Sequence, residues 1–187
     1  NPEDTVVVLD ALSYAGNKAN LASCEDGWWY TFIEGSICDQ KLVETLLCDY
    51  QIDTVVHFAA ESHVDRSISG PGVFIESNVN GTYNLLQAVR GHYEGLSGKC
   101  REAFRMHHIS TDEVFGSLGA EGRFSETTPY DPRSPYSASK AASQRARGRE
   151  RGLGLEDLKL KLFGFEDLGL EGARLRGFEG LGSLGLG

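Results

Sequence analysis

The sequence is most informative first by what it lacks. No apolar run in the 187 residues approaches the roughly 18–20 that cross a bilayer, so a membrane-spanning helix is excluded. The opening NPEDTVVVLD has no basic start before an apolar run and does not read as a secretory signal. The four cysteines, Cys24, Cys38, Cys48 and Cys100, form no CxxC pair, which argues against a zinc finger or a disulfide framework and for a reducing cytoplasm. His57, His63, His107 and His108 show no metal-ligand spacing, and no metal is expected. Basic residues are outnumbered, 18 Lys and Arg against 27 Asp and Glu, giving a net charge of −9. That balance speaks against non-specific binding to nucleic acid or to an anionic membrane. It leaves a nucleotide ligand open, because local backbone amides and single basic side chains hold small phosphates.

What is present is ordinary globular material, 40% hydrophobic and 24% charged, enough to build a core. It divides in two. Residues 1–144 read as one α/β domain. Residues 145–187 form a Gly/Leu-rich tail, in which eleven of the forty residues from 148 onward are Gly and eleven are Leu. The tail has no Val, Ile, Thr, Tyr, Asn or Pro, and its glycines interrupt any helix. It is expected to carry no catalytic residue.

In the first part, strand-like and helix-like segments alternate. Thr5–Asp10, Tyr30–Ile33, Thr54–Phe58 and Ala103–Ser110 read as strands. Asp39–Asp49 reads as a helix with Asp39 as N-cap and Leu42, Val43, Leu46 and Leu47 on its apolar face. Gly72–Tyr93 contains a long helix with Phe74, Ile75, Val79, Leu85, Leu86 and Val89 on or near one face, and Tyr136–Arg147 is a further helix. Strands separated by helices imply right-handed crossovers and a parallel, doubly wound Rossmann-like sheet, whose ligands lie at the carboxyl ends of its strands.

The chemistry-bearing residues fall at those ends. Asp10 closes the first strand and is either a turn residue or an acceptor for ribose hydroxyls. No GxxGxxG turn precedes it, so the sheet is expected to have a gap where that first strand would lie. Phe58-Ala59-Ala60-Glu61-Ser62 follows a strand with small residues that admit a flat group or pack a helix closely. Thr111, Asp112 and Glu113 follow another strand, either as a solvated loop or as an acid and a base acting on neighbouring atoms. Tyr136 and Lys140 share a helix face at i and i+4. An ammonium there is expected to lower the phenol pKa, making Tyr136 a base and leaving Lys140 free to hold a ribose. His107 and His108 sit in a strand and face opposite sides as structural residues. Trp28 and Trp29 are expected to pack at a sheet edge.

Four runs then resemble one family: Leu9–Asn17, His57–Ile68, His107–Gly116 and Ser134–Ala141. They resemble the extended short-chain dehydrogenase/reductases and, within them, the dTDP-glucose 4,6-dehydratase branch. Sugar epimerases of the same family usually carry a Ser/Thr pair where this chain has Asp112-Glu113. The resemblance implies a bound NAD, dTDP-glucose as substrate and a homodimer. It implies that Tyr136 takes the 4-hydroxyl proton as NAD takes the C4 hydride, with Thr111 bonded to the 4-oxygen. Glu113 then removes the C5 proton, Asp112 protonates the departing 6-hydroxyl, and the hydride returns to C6. Asp10, Ala11, Leu12 and Ser13 would hold the adenosine ribose. Ile37, Phe58, Ala59, Ala60, Ser62 and Ser77 would line the NAD site, with Lys140 on the nicotinamide ribose and Ser62 also near the sugar. Ser36 stands where the family usually has Asp, and Ser77 where Thr is common. The family pattern stops after Gln144, and no substrate domain is recognisable. The isolated chain is therefore expected to be inactive or poorly folded. UDP-glucose as substrate, and a dead fragment acting only as a dimerisation module, are the alternatives.

Overall fold

A computed structural model describes residues 4–24, 27–119, 121–125, 127–146 and 160–163. Strand β1 (Val6–Asp10) pairs in parallel with β2 (Tyr30–Glu34), Val6 opposite Tyr30 and Asp10 opposite Glu34. Strand β3 (Thr54–His57) pairs in parallel with β4 (Arg105–Ile109), and β4 in turn with β5 (Leu160–Phe163). Among the described residues these are two sheets, β1–β2 and β3–β4–β5, with no ladder joining them. The all-parallel pairing and the helices between the strands agree with the doubly wound reading, and the division falls where the sequence predicts a gap.

Helices bridge the division. Helix α1 (Gln40–Asp49) starts at Asp39, whose carboxylate accepts a hydrogen bond from the Leu42 amide at 3.0 Å, as its sequence predicts. Its Val43 and Leu47 are buried and meet Leu85, Leu86 and Val89 of α4 (Thr82–Gly95). Phe104 and Met106 close this core from the second sheet, and Leu9 and Val55 pack against it from β1 and β3.

The long helix is continuous from α3 (Gly72–Phe74) to α4, but Ile75–Gly81 between them is π-helical. A π turn takes more residues than an α turn, so a face counted at period 3.6 loses phase there. Phe74, Leu85, Leu86 and Val89 are buried as expected. Ile75, expected on the same face, is 49% exposed, and Asn78 takes an inward position at 1% exposure.

Two shorter helices complete this part, α2 (Val64–Ser69) and α5 (Gly98–Ala103), followed after β4 by α6 (Pro135–Ala146). The segment before β4, read as the start of a strand, is helical through Ala103. Trp29 does meet a sheet edge, since its carbonyl accepts from the Val6 amide at 2.7 Å. Trp28 does not, and is 79% exposed. Most of the tail lies outside the described residues. Its one described strand, β5, was not expected, although Leu158-Lys159-Leu160-Lys161-Leu162 alternates with period 2.

Candidate functional site

Strand β4 ends at Ile109, and the chain turns at once into a 3-10 helix over Asp112–Phe115. Thr111 caps that turn, its hydroxyl accepting from the Glu113 amide at 3.3 Å and donating to Asp112 Oδ1 at 3.4 Å. The cap fixes the three residues as a group. Val114 behind them is buried, while Asp112 and Glu113 stay exposed at the strand end.

Helix α6 brings Tyr136 and Lys140 to the same place. Ser134 and Ser137 cap it reciprocally: each hydroxyl accepts from the other's amide at 3.0 Å. Pro135 supplies the first helical residue, a position where no amide is needed. Tyr136 is thus held in the first turn, 8% exposed, with its ring edge-on to Phe74. Lys140, one turn on, is 4% exposed and donates to the Ile109 carbonyl at 2.8 Å, which ties the helix to the end of β4. The predicted group Thr111, Asp112, Glu113, Tyr136 and Lys140 is therefore brought together.

The electrostatics differ from expectation in one respect. Burial of Tyr136 raises its pKa. A hydrogen bond with the Thr111 side chain opposes that shift, and the negative charges of Glu113 and Asp112 add to it. Lys140 was expected to lower the phenol pKa, but its ammonium turns to the Ile109 carbonyl and the Tyr136 pKa is raised. Burial instead lowers Lys140 itself to about 8. Glu113 is raised by desolvation and then by the Asp112 charge beside it, the direction a proton acceptor working near neutral pH requires.

Of the remaining predicted residues, Asp10 to Ser13 lie at the end of β1, Phe58 to Ser62 follow β3, Ile37 follows β2 and Ser77 lies on the π turn. Asp10 Oδ1 accepts from the Leu12 amide at 2.7 Å, so the carboxylate shapes its own loop through Ala11 and Leu12 to Ser13. Phe58 is 60% exposed, an apolar ring open to solvent at the end of β3, and the small Ala59 and Ala60 follow it. Ser62 is exposed, and its hydroxyl meets that of Tyr14 at 3.5 Å. Ile37 packs on the π turn, close enough to Gly81 that a Cβ there would come within 2.9 Å of its side chain. Ser77 lies on the same π turn, half-buried.

Sequence reasoning missed Asn78 and Tyr14. The Asn78 amide accepts from the Glu61 amide at 2.8 Å and donates to the Glu61 carbonyl and to Ser139 Oγ, both at 2.9 Å. Ser139 Oγ donates in turn to the Tyr136 carbonyl at 2.7 Å. One buried side chain thus locks the loop after β3 to the helix that carries Tyr136. A polar residue amid the apolar positions of a long helix was the available sign. His57 is also committed: its Nε2 meets Thr82 Oγ1 at 2.9 Å, and its ring stacks on His108 with centroids 4.8 Å apart. Among the described residues, no group of three or more His, Cys, Asp or Glu gathers as a metal site.

The sequence pattern of the family described as GDP-mannose 4,6 dehydratase matches residues 2–148. The chain is 59% identical over 138 residues to a dTDP-glucose 4,6-dehydratase of Xanthomonas campestris pv. campestris, covering 74% of this chain and 39% of that protein. It is 51% identical over 144 residues to the dTDP-glucose 4,6-dehydratase of Neisseria gonorrhoeae, covering 76% and 42%. The crystal structure of DesIV, a dTDP-glucose 4,6-dehydratase from Streptomyces venezuelae with NAD and TYD bound, superposes with a TM-score of 0.74 at 43% identity. That match covers 86% of this chain and 46% of DesIV. The chain belongs to the GDP-mannose 4,6 dehydratase family, with its Rossmann-type fold, and spans about two fifths of the length of these curated relatives.

Proposed function

We propose that this member of the family serves in the dehydration of dTDP-glucose to the 4-keto-6-deoxy sugar nucleotide, with NAD as a recycled cofactor. The observation that carries the reading is the Thr111-Asp112-Glu113 turn set against Tyr136 at the end of β4. A hydroxyl acceptor, an acid and a base stand within one site, which an elimination next to a ketone requires. The residues fit the cofactor. The Lys140 ammonium carries three donors, and its one hydrogen bond among the described residues goes to Ile109, which leaves donors for ribose hydroxyls. The exposed Phe58 ring, with Ala59 and Ala60, offers a flat apolar surface at a strand end. Asp10, Ala11, Leu12 and Ser13 would hold the adenosine ribose, and Ile37, Ser62 and Ser77 would line the rest of the cofactor site.

When bound, NAD supplies a hydride acceptor for C4 and a hydride donor for C6. Tyr136 takes the 4-hydroxyl proton, and Thr111 holds the 4-oxygen. The carbonyl so formed acidifies the C5 hydrogen. Glu113, its pKa raised, removes that proton, Asp112 as the acid gives one to the 6-hydroxyl, which leaves as water, and Glu113 returns its proton to C5 as C6 is reduced; the proton taken by Tyr136 restores Asp112 by way of solvent. Ser62 would contact the sugar. The protein would act in the cytoplasm as a homodimer. What supports the dimer is the exposed apolar surface of Val73, Ile75 and Tyr83 along the helix from Gly72 to Gly95.

The test is turnover by the natural protein that contains this chain, with dTDP-glucose and UDP-glucose compared. Formation of the 4-keto-6-deoxy product from dTDP-glucose, with UDP-glucose much the poorer, is expected. A preference for UDP-glucose would overturn the substrate assignment. Dimerisation without any cofactor binding would favour an interaction module.

A further inference from the structure

The loops that leave β1 and β3 belong to different sheets, and Tyr14 joins them. Its ring lies under the Arg66 guanidinium, 4.0 Å from centroid to Cζ. It stands edge-on to His63 at 6.4 Å, and its hydroxyl meets Ser62 Oγ at 3.5 Å. The three partners lie 48 to 52 positions away in sequence, across the division between the sheets.

Both sides of this contact are built to hold. On the β1 side the loop folds back on itself. Leu12 adopts φ +45°, its amide bonds to Asp10 Oδ1 at 2.7 Å, and the Gly16 amide bonds to the Ser13 carbonyl at 2.9 Å. Gly16 sits so close to Leu12 that a Cβ there would come within 2.3 Å of its Cα, so only glycine closes the loop. On the β3 side Arg66 rides on α2, anchored by Ser67, which is fully buried and donates to the Val64 carbonyl at 2.6 Å. The loops so joined carry Asp10 to Ser13 on one bank and Phe58 to Ser62 on the other. The Tyr14–Arg66 pair therefore links the two loops.

We propose that Tyr14 and Arg66 form a cation–π clasp between those loops, which retains the dinucleotide between turnovers. This rests on the cofactor reading above, in which the dinucleotide is regenerated at the site and has no need to leave. Release requires the clasp to part, so the pair governs the off-rate.

The experiment measures NADH release from the natural protein by stopped-flow fluorescence, beside the melting temperature of the cofactor-free form. Tyr14→Ala and Arg66→Ala should each release NADH about tenfold faster, the scale of a partly exposed cation–π contact. The double variant should be no faster than either single one, because each already opens the clasp. Tyr14→Phe keeps the ring and should stay within about twofold of the parent. The cofactor-free melting temperature should fall by no more than a few degrees, the scale of one partly exposed contact. Unchanged release in both alanine variants, multiplying effects in the double variant, or a fall in the cofactor-free melting temperature that accounts for the faster release would each overturn the clasp while leaving the cofactor reading intact. A parent protein that holds no NADH would overturn the cofactor reading and the clasp with it.

Discussion

The sheet β1–β2 and the sheet β3–β4–β5 start from similar material and end differently. Strand β1 is Val-Val-Val-Leu-Asp, a run suited to burial on both faces, yet none of its residues is buried and Val6 is 42% exposed. Strand β4 is Arg-Met-His-His-Ile, a far more polar string, yet Met106, His108 and Ile109 are all buried. Neighbours decide the outcome. Strand β4 has β3 on one side and β5 on the other, with α6 tied to its end through Lys140. Strand β1 pairs with β2 alone among the described residues. The residues proposed for the site follow the same division. Around β1 they are exposed and shaped by backbone turns, suited to holding a ligand. Around β4 and α6 they include buried, pKa-shifted groups suited to moving protons.

That contrast breaks most directly at Tyr136. In the natural protein, Tyr136→Phe should lower dTDP-glucose turnover by roughly 10³-fold, within the usual span for a positioned proton-transfer group. A comparable loss on Asp10→Asn would erase the distinction, since Asp10 is assigned to holding the ligand, and its loss should appear in cofactor affinity. Second in size is Glu113→Gln. Oxidation should persist while elimination slows by about 10²-fold, so NADH absorbance accumulates transiently. Full-rate dehydration by that variant would show that Glu113 is not the base.

The same contrast shows why part of the site was legible in the sequence. Asp39, the Thr111-Asp112-Glu113 turn and the Tyr136/Lys140 pair are local signals: a cap, a strand end and an i, i+4 spacing each act within a few residues. The inward position of Asn78 depends on a π turn, which shifts the helical phase and which no periodicity count anticipates, so its polar character amid apolar positions was the one sign. The Tyr14–Arg66 contact joins residues 52 apart. The direction of the Tyr136 shift needed burial and the actual aim of Lys140, neither of which a spacing contains. Strand β5 was hidden by its setting, a Gly/Leu-rich tail in which five alternating residues carry little weight.

Stability should divide as burial does. Met106→Ala removes a fully buried side chain from the core and should cost about 2–5 kcal/mol in denaturant unfolding. Val8→Ala in the half-buried β1 should cost less, about 1 kcal/mol. Equal losses would mean that the exposure of β1 understates what it contributes.

A further expected effect concerns pH, and it belongs to the second sheet alone. Burial holds the His57 pKa well below 6.5, and the His108 ring and the Lys140 ammonium push it the same way. Thr82 takes its Nε2, so the folded site is built for a neutral ring. An unfolded His57 titrates near 6.5. Below that pH the unfolded chain binds a proton that the folded chain refuses. The sign follows: His57 does not diminish stability above about pH 6.5, and stability falls as the pH drops toward the folded pKa. The slope from one such group is at most about 1.4 kcal/mol per pH unit. Melting curves between pH 7 and pH 5 should therefore flatten in His57→Gln, whose amide can still reach Thr82 but does not titrate. A variant as acid-sensitive as the parent would place the acid-labile group elsewhere and remove His57 from the account of how the second sheet is held.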